Sequence, residues 1–120
     1  MKKIVSAAAL TVAALALSTA ALAADTAAGE AIYKKNCAGC HGNTGAGNGP
    51  AASSLKPKPA NFVSADYKDS LGKGIKDYSD ADLEGIIANG RKGTAMPAWK
   101  KSLNAQQTSD VLAYVRSLHK

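Results

Sequence analysis

Two cysteines separated by two residues and followed at once by a histidine constrain this chain more than any other feature. The run is Cys37-Ala38-Gly39-Cys40-His41. This spacing is typical of a covalent haem attachment site, where each thiol adds to one vinyl group of the porphyrin. The histidine directly after the second thiol is then held below the iron as a nitrogen ligand. The motif therefore predicts one haem c, attached at Cys37 and Cys40, with His41 as an axial ligand.

A single methionine beyond the start of the chain offers a ligand for the opposite face of the iron. Met96 lies in the run Met96-Pro97-Ala98-Trp99, on a predicted loop and not on an apolar helical stripe. A thioether opposite a histidine raises the reduction potential of a haem. Two such ligands fill both axial positions, so the pattern favours electron transfer over substrate binding. The alternative for Met96 is a gap-filling core residue, and Trp99 is predicted either as a wall of the haem site or as plain core.

Other uses of the cysteines have less support in the sequence. A redox-active disulfide between Cys37 and Cys40 would belong on a βαβ pattern, and we find no strand pattern. A zinc site needs four ligands, and the chain would have to complete the set with His41 and the distant His119. We expect His119, near the end of the last predicted helix, to be a surface residue.

Residues 1–23 have the features of a secretory signal peptide. Two lysines precede an apolar run, and Ala21-Leu22-Ala23 matches the small-residue pattern that comes before a cleavage site. The apolar run is shorter than the ~20 residues of a membrane-spanning helix, although a retained N-terminal anchor is the alternative. We expect export to the periplasm, no stable membrane insertion, and a working domain over residues 24–120. Loss of the two lysines lowers the net charge below the +6 of the whole chain.

Three helical patterns are predicted, with long loops between them. The first covers about Thr26 to Cys37, with Asp25 or Thr26 itself as N-cap. The second begins after Ser79, with Asp82 at the capping-box position, and the third after Asn104, with a glutamine at that position. In the first helix Gly29 costs about 1 kcal/mol relative to alanine. Either a close approach of another helix offsets that cost or the glycine is tolerated near a frayed helix start.

The segment from residue 42 to residue 78 is rich in glycine, proline, asparagine and lysine. A loop of this length without structure of its own counts against a compact domain, unless it wraps a large cofactor. The chain has one Phe, one Trp and four Tyr, a small aromatic supply for a core. We therefore expect the porphyrin to complete the core, and the haem-free chain to be largely unfolded.

With these features, residues 29–118 resemble the class I monohaem cytochromes c. The resemblance implies an all-α fold, in which three main helices and long loops wrap around one covalent haem and the last helix crosses the first. It implies that Tyr33, with Gly29 one turn before it, meets Tyr114 or its apolar neighbours. It also implies that the carbonyl of Pro50 accepts a hydrogen bond from the proximal histidine. The alternative for Pro50 is an ordinary turn proline.

The resemblance implies a monomeric periplasmic protein that carries single electrons and is not an enzyme. A cytochrome subunit that relays electrons within a larger oxidoreductase complex is the alternative, and an open-site haem protein without Met96 ligation is a third hypothesis. Lysines on both sides of the motif would steer an acidic redox partner, or simply form a solvated face. They are Lys34, Lys35, Lys56, Lys58, Lys92, Lys100 and Lys101. Nucleic acid is not an expected partner, because no aromatic-interleaved basic stripe is present.

Overall fold

Four α-helices and two short 3-10 turns are formed by residues 23–120, the part of the chain that the computed structural model describes. The helices are α1 (Thr26–Asn36), α2 (Ala38–His41), α3 (Asp80–Asn89) and α4 (Ala105–Ser117), and the 3-10 turns cover Ala52–Ser54 and Ile75–Asp77. No strand is present in these residues, so the predicted all-α class is confirmed. The leader predicted over residues 1–23 lies outside the described residues, apart from Ala23.

Side chains cap the three longer helices where the sequence predicted them to begin. Asp25 accepts a hydrogen bond at 3.1 Å from the backbone N–H three residues on, and so caps α1. Ser79 and Asp82 form a reciprocal capping box at the start of α3. Asn104 and Gln107 do the same for α4, with bonds of 2.8 and 2.9 Å. Each cap satisfies backbone donors that would otherwise lack a partner, and a cap of this kind is worth about 1 kcal/mol.

The haem motif lies on a short helix of its own, which differs from the prediction of one helix ending at the first cysteine. The N–H of Cys37 still bonds to the carbonyl of Tyr33 at 2.9 Å, so Cys37 caps α1. The chain then makes one further turn, in which the N–H of His41 bonds to the carbonyl of Cys37 at 2.9 Å. Both cysteines and the histidine are therefore placed by a single turn of helix.

Helices α1 and α4 touch backbone to backbone at Gly29. A Cβ atom added to Gly29 would lie 1.9 Å from the carbonyl oxygen of Asp110 and 3.0 Å from the backbone nitrogen of Val111. No side chain fits in that space. Of the two explanations for this glycine, the close helix approach is the one that the structure shows.

The core lies along the same crossing. Tyr33 is fully buried, and its ring centroid lies 5.2 Å from that of Tyr114, with the planes tilted at 56°. The Tyr33 hydroxyl donates a 2.6 Å hydrogen bond to the carbonyl of Gly42, which ties α1 to the segment after the motif. The predicted contact of the first helix with Tyr114 is confirmed. Small aliphatic residues supply the remaining buried apolar groups: Ala38, Ala52, Ile75, Leu103, Val111, Leu112 and Val115.

The long segment between α2 and α3 is ordered by hydrogen bonds to α2, so it is not structureless. The N–H of Gly47 bonds to the carbonyl of His41 at 2.8 Å, and that of Gly49 to the carbonyl of Cys40 at 3.0 Å. Further along, the N–H of Phe62 bonds to the carbonyl of Gly45 at 2.7 Å. These bonds fold the segment back across the motif and bring residues 60–63 next to the histidine.

Candidate haem-binding site

One cavity of about 260 Å³ collects the residues that the sequence singled out. Cys37, Cys40 and His41 line it from the α2 side, and Met96 lines it from the loop between α3 and α4. Most of the remaining lining is apolar: Leu55, Pro57, Pro59, Phe62, Ile75, Leu83, Ile86, Ile87, Pro97, Trp99, Val111, Leu112 and Val115. A cavity lined in this way excludes water and suits a flat apolar ring.

Both cysteine side chains are half-buried. Burial, together with the nearby Cys40 thiol, raises the pKa of Cys37 to about 11. At neutral pH this sulfur is therefore a neutral thiol. Among residues 23–120 there is also no group of three or more His, Cys, Asp or Glu side chains that could hold a metal ion.

The imidazole of His41 is held by two contacts from the segment after the motif. Its Nδ1 atom lies 3.1 Å from the carbonyl oxygen of Ala60, and its ring stacks on Phe62 with centroids 4.5 Å apart and planes at 24°. A carbonyl oxygen only accepts, so this bond places the ring proton on Nδ1 and leaves the lone pair on Nε2. Burial lowers the pKa of His41, and the bond to Ala60 offsets part of that effect. The result is a neutral imidazole with a fixed tautomer, which is the form that binds a metal.

The prediction that Pro50 supplies the carbonyl partner of the histidine is wrong. The acceptor is Ala60, while Pro50 is exposed and does not line the cavity. The cause is the path of the chain, because Gly49 and Ala51 bond back to carbonyls of α2 and so take Pro50 along the outside of the motif. A proline-rich run, residues 56–62, contains Ala60 and is the sequence signal that could have pointed to this partner.

Met96 is half-buried on a loop that short-range hydrogen bonds shape. The hydroxyl of Thr94 donates to the carbonyl of Arg91 at 2.7 Å and accepts from the N–H of Met96 at 3.2 Å. Past the methionine, the N–H of Trp99 bonds to the carbonyl of Ile87 at 3.0 Å, which fastens the loop to α3. Trp99 lines the cavity and also packs against the buried core.

A polar cluster on the cavity wall was not anticipated from the sequence. The carboxylate of Asp69 accepts from the Tyr78 hydroxyl, from Nη2 of Arg91 at 2.9 Å, and from the backbone N–H groups of Leu71 and Lys73 at 2.8 and 3.0 Å. Burial alone would raise the pKa of Asp69, but these four donors outweigh it and hold the pKa well below its usual range. No short motif marks this cluster, because its members come from three separate stretches of chain.

The residues that line the cavity fit a haem c. Two thiols stand one helical turn apart, an imidazole presents its Nε2 lone pair, and a thioether enters from another element of the same cavity. Arg91 and Lys73 add cationic donors on one part of the wall. Those groups suit the carboxylates of a porphyrin.

Comparison with known proteins agrees with this geometry. The sequence profile described as "Cytochrome c" matches residues 26–119. The fold is all-helical, and the thiols, the imidazole and the thioether surround one cavity. This is the fold of a class I c-type cytochrome. The chain belongs to the cytochrome c family, whose members carry covalent haem c and transfer electrons instead of catalysing a reaction.

Two similar sequences come from larger proteins. The chain is 34% identical over 96 residues to the Cbb3-type cytochrome c oxidase subunit CcoP of Azospirillum sp. (strain B510). It is 31% identical over 90 residues to the CcoP subunit of Azospirillum brasilense. Each match covers 75% of this chain but only 27% of the relative. The chain therefore spans about a quarter of the length of the curated relatives it matches.

Two solved structures share the fold. A chain of a reducing HAO-like protein complex from Kuenenia stuttgartiensis superposes with a TM-score of 0.66 at 33% identity, covering 79% of this chain and 43% of the other. The KustC0563 c-type cytochrome superposes with a TM-score of 0.59 at 22% identity, covering 77% of this chain and 98% of the other. Within residues 23–120, no helix is long and apolar enough to cross a membrane.

Proposed function

We propose that this protein is a monomeric periplasmic carrier that moves single electrons on one covalent haem. In this proposal Cys37 and Cys40 form the thioethers, and His41 and Met96 are the axial ligands. Each S–H adds across one vinyl C=C bond, so that the sulfur bonds to one carbon and the hydrogen goes to the other. The observation that carries the proposal is that all four side chains line one apolar cavity.

When bound, the haem supplies one-electron chemistry, in which ferric iron accepts an electron from a donor and ferrous iron returns it to an acceptor. The residues of the chain hold that chemistry in place. Ala60 keeps the His41 proton on Nδ1, Phe62 fixes the ring plane, and Thr94 shapes the loop that presents Met96. The apolar wall keeps water from the ligands. With His41 and Met96 both holding the iron, the site would leave no open position for a substrate.

The test is the visible spectrum of the matured, reduced protein before and after addition of carbon monoxide. We expect a low-spin spectrum that carbon monoxide does not change, because both axial positions are occupied. A Met96→Ala variant is the matched control, and its spectrum should shift on addition of the gas. A wild-type spectrum that shifts as readily as that of the variant would contradict Met96 ligation and favour the open-site hypothesis.

Export and haem content can be tested on the same preparation. Cleavage after Ala23 predicts a periplasmic protein whose mass equals residues 24–120 plus a single haem, with Ala24 at its N-terminus. A protein that keeps residues 1–23 in the membrane fraction would instead support the retained-anchor alternative.

A second candidate is a cytochrome subunit that passes electrons within a stable complex. The relatives named above favour it, because they are a subunit of an oxidase and a chain of an HAO-like complex. The two candidates differ in hydrodynamic size. Protein isolated from its own cells without detergent should elute as a single small domain if it is a free carrier, and with a constant partner if it is a subunit.

The proposed redox partner has an acidic docking surface. Lys58 and Lys73 are both exposed, and both line the cavity. Their charges therefore stand at the cavity rim. Lys56, Lys92 and Lys100 are also exposed. Lys34 is exposed as well and pairs with Glu30 at 2.9 Å across one turn of α1. Positive charge at the rim raises the encounter rate with an acidic partner.

A further inference from the structure

The loop that presents Met96 is linked to a distant segment through a continuous series of contacts. The N–H of Met96 bonds to the Thr94 hydroxyl at 3.2 Å, and that hydroxyl donates to the carbonyl of Arg91 at 2.7 Å. The N–H of Thr94 bonds to the same carbonyl at 3.1 Å. The backbone next to the thioether is therefore fixed relative to the backbone of Arg91.

The side chain of Arg91 is in turn fixed by two hydrogen bonds to residues of the cavity wall. Its Nη2 atom donates to Asp69 at 2.9 Å and to the Tyr78 hydroxyl at 3.1 Å. The carboxylate of Asp69 is only 7% exposed, and Leu71 and Lys73 add backbone N–H donors to it. A carboxylate with this many donors cannot turn away without leaving charge unpaired in a dry place, so the pair holds its geometry.

A neutral thioether has no charge to hold it on a metal. The fraction of molecules in which the thioether is bound to the iron depends on how closely the loop confines the sulfur. This confinement sets the effective concentration of the sulfur at the iron. Hydrogen bonds that restrict the loop raise that concentration without touching the sulfur. The contacts from Asp69 to Met96 are arranged to do this.

We propose that Asp69, Arg91 and Thr94 form a tether that keeps Met96 on the iron and so closes the sixth position to external ligands. All three are positioning residues, since they act through the loop and not on the haem iron. The proposal rests on the proposed function, because it requires Met96 to be an axial ligand.

The experiment measures the affinity of the ferric, haem-loaded protein for imidazole, a probe that competes with Met96 for the iron. In Thr94→Val both side-chain hydrogen bonds are lost while the shape is kept, so imidazole should bind about tenfold more tightly. Thr94→Ser keeps the hydroxyl and should restore affinity to within about threefold of wild type. Thr44→Val is the matched control, because Thr44 is exposed and does not line the cavity, and it should have no effect.

A second variant tests the far end of the tether. Asp69→Asn should also tighten imidazole binding, because Arg91 loses its charged partner. In the double variant with Thr94→Val, the affinity for imidazole should rise by less than the product of the two single fold-changes, since both substitutions release the same loop. Independent effects would contradict a shared tether.

The outcomes separate this proposal from the one on which it rests. Wild-type protein that binds imidazole as tightly as Met96→Ala overturns both, because Met96 is then not held on the iron. Wild-type protein that resists imidazole, with a Thr94→Val variant that resists it equally, overturns the tether alone.

Discussion

The imidazole Nδ1 of His41 lies 3.1 Å from the carbonyl oxygen of Ala60, nineteen residues further along the chain. Phe62, two residues beyond Ala60, stacks on the same ring. The last two residues of the chain hold this segment in place. Nδ1 of His119 lies 3.1 Å from the carbonyl oxygen of Phe62, and the N–H of Lys120 bonds to the carbonyl of Val63 at 3.1 Å. His119 is thus a half-buried structural residue, where the sequence suggested a surface one.

The stacking of Phe62 on His41 predicts a stability cost for its removal. Phe62→Ala should lower the free energy of unfolding of the haem protein by about 2 kcal/mol, less than for a fully buried phenylalanine because the side chain is only half-buried. Denaturant titration followed by haem absorbance measures the change. Phe62→Leu should lose less than half as much. An alanine variant as stable as wild type would show that the ring contributes nothing to holding the histidine.

The close contact at Gly29 predicts opposite effects for two glycine substitutions. Gly29→Ala forces a Cβ against the Asp110 carbonyl, so it should destabilise the protein by about 2 kcal/mol or more. Gly85→Ala is the matched control, because Gly85 lies within α3 and a Cβ there meets nothing within 4 Å. It should stabilise the protein by about 0.5–1 kcal/mol, the helix propensity difference. Thermal unfolding of both variants measures the two changes in stability. Equal changes would contradict the close crossing of α1 and α4 at Gly29.

The lowered pKa of Asp69 predicts how stability depends on pH. The ordinary pKa of this carboxyl is ~3.9, and the folded state keeps the group ionised at pH values below that. Ionised Asp69 therefore makes its full contribution to the free energy of unfolding at any pH above ~3.9. This contribution to stability is lost as the pH falls through the lower pKa that Asp69 has in the folded state. The stability difference between wild type and Asp69→Asn should therefore be largest near neutral pH and should shrink as the solution is acidified below about pH 4. Thermal unfolding across that range measures it, and a difference independent of pH would contradict the assignment.

The apolar lining of the cavity predicts that the haem-free chain is largely unfolded. Without the ring, the side chains of α3, α4 and the methionine loop would face water instead of an apolar surface. A variant with serine at both positions 37 and 40, which cannot form the thioethers, should show far less helix by circular dichroism than the haem protein. A haem-free chain with native helix content would refute this.

The lysines at the cavity rim predict salt-sensitive electron transfer. Oxidation of the reduced protein by ferricyanide, an anionic probe, should slow several-fold between ~10 and ~200 mM salt. Lys58→Gln should slow the reaction at low salt, because Lys58 stands at the rim. Lys34→Gln removes the same charge from a position away from the cavity and should have a smaller effect. Equal effects, or a rate that salt does not change, would exclude steering by the rim.

Local patterns were sufficient to predict the helices and the motif. Capping residues lie three positions apart, and apolar residues repeat every three or four, so a short window contains all the interactions that begin and end α3 and α4. The CAGCH run is likewise complete within one helical turn. Its chemistry depends on residue type and spacing, which are visible in the sequence.

Contacts between distant stretches of chain required the tertiary structure. The sequence pointed to Pro50 as the partner of His41, but the folded-back loop brings Ala60 there instead. The pair of Asp69 and Arg91, separated by twenty-two residues, and the contact of His119 with Phe62, separated by fifty-seven, had no local signal. The sequence by itself therefore determined the three longer helices, their caps and the four residues proposed to hold the haem. Only the tertiary structure decided which groups orient His41 and Met96, because such contacts depend on how the loops pack around the cavity and not on neighbouring residues.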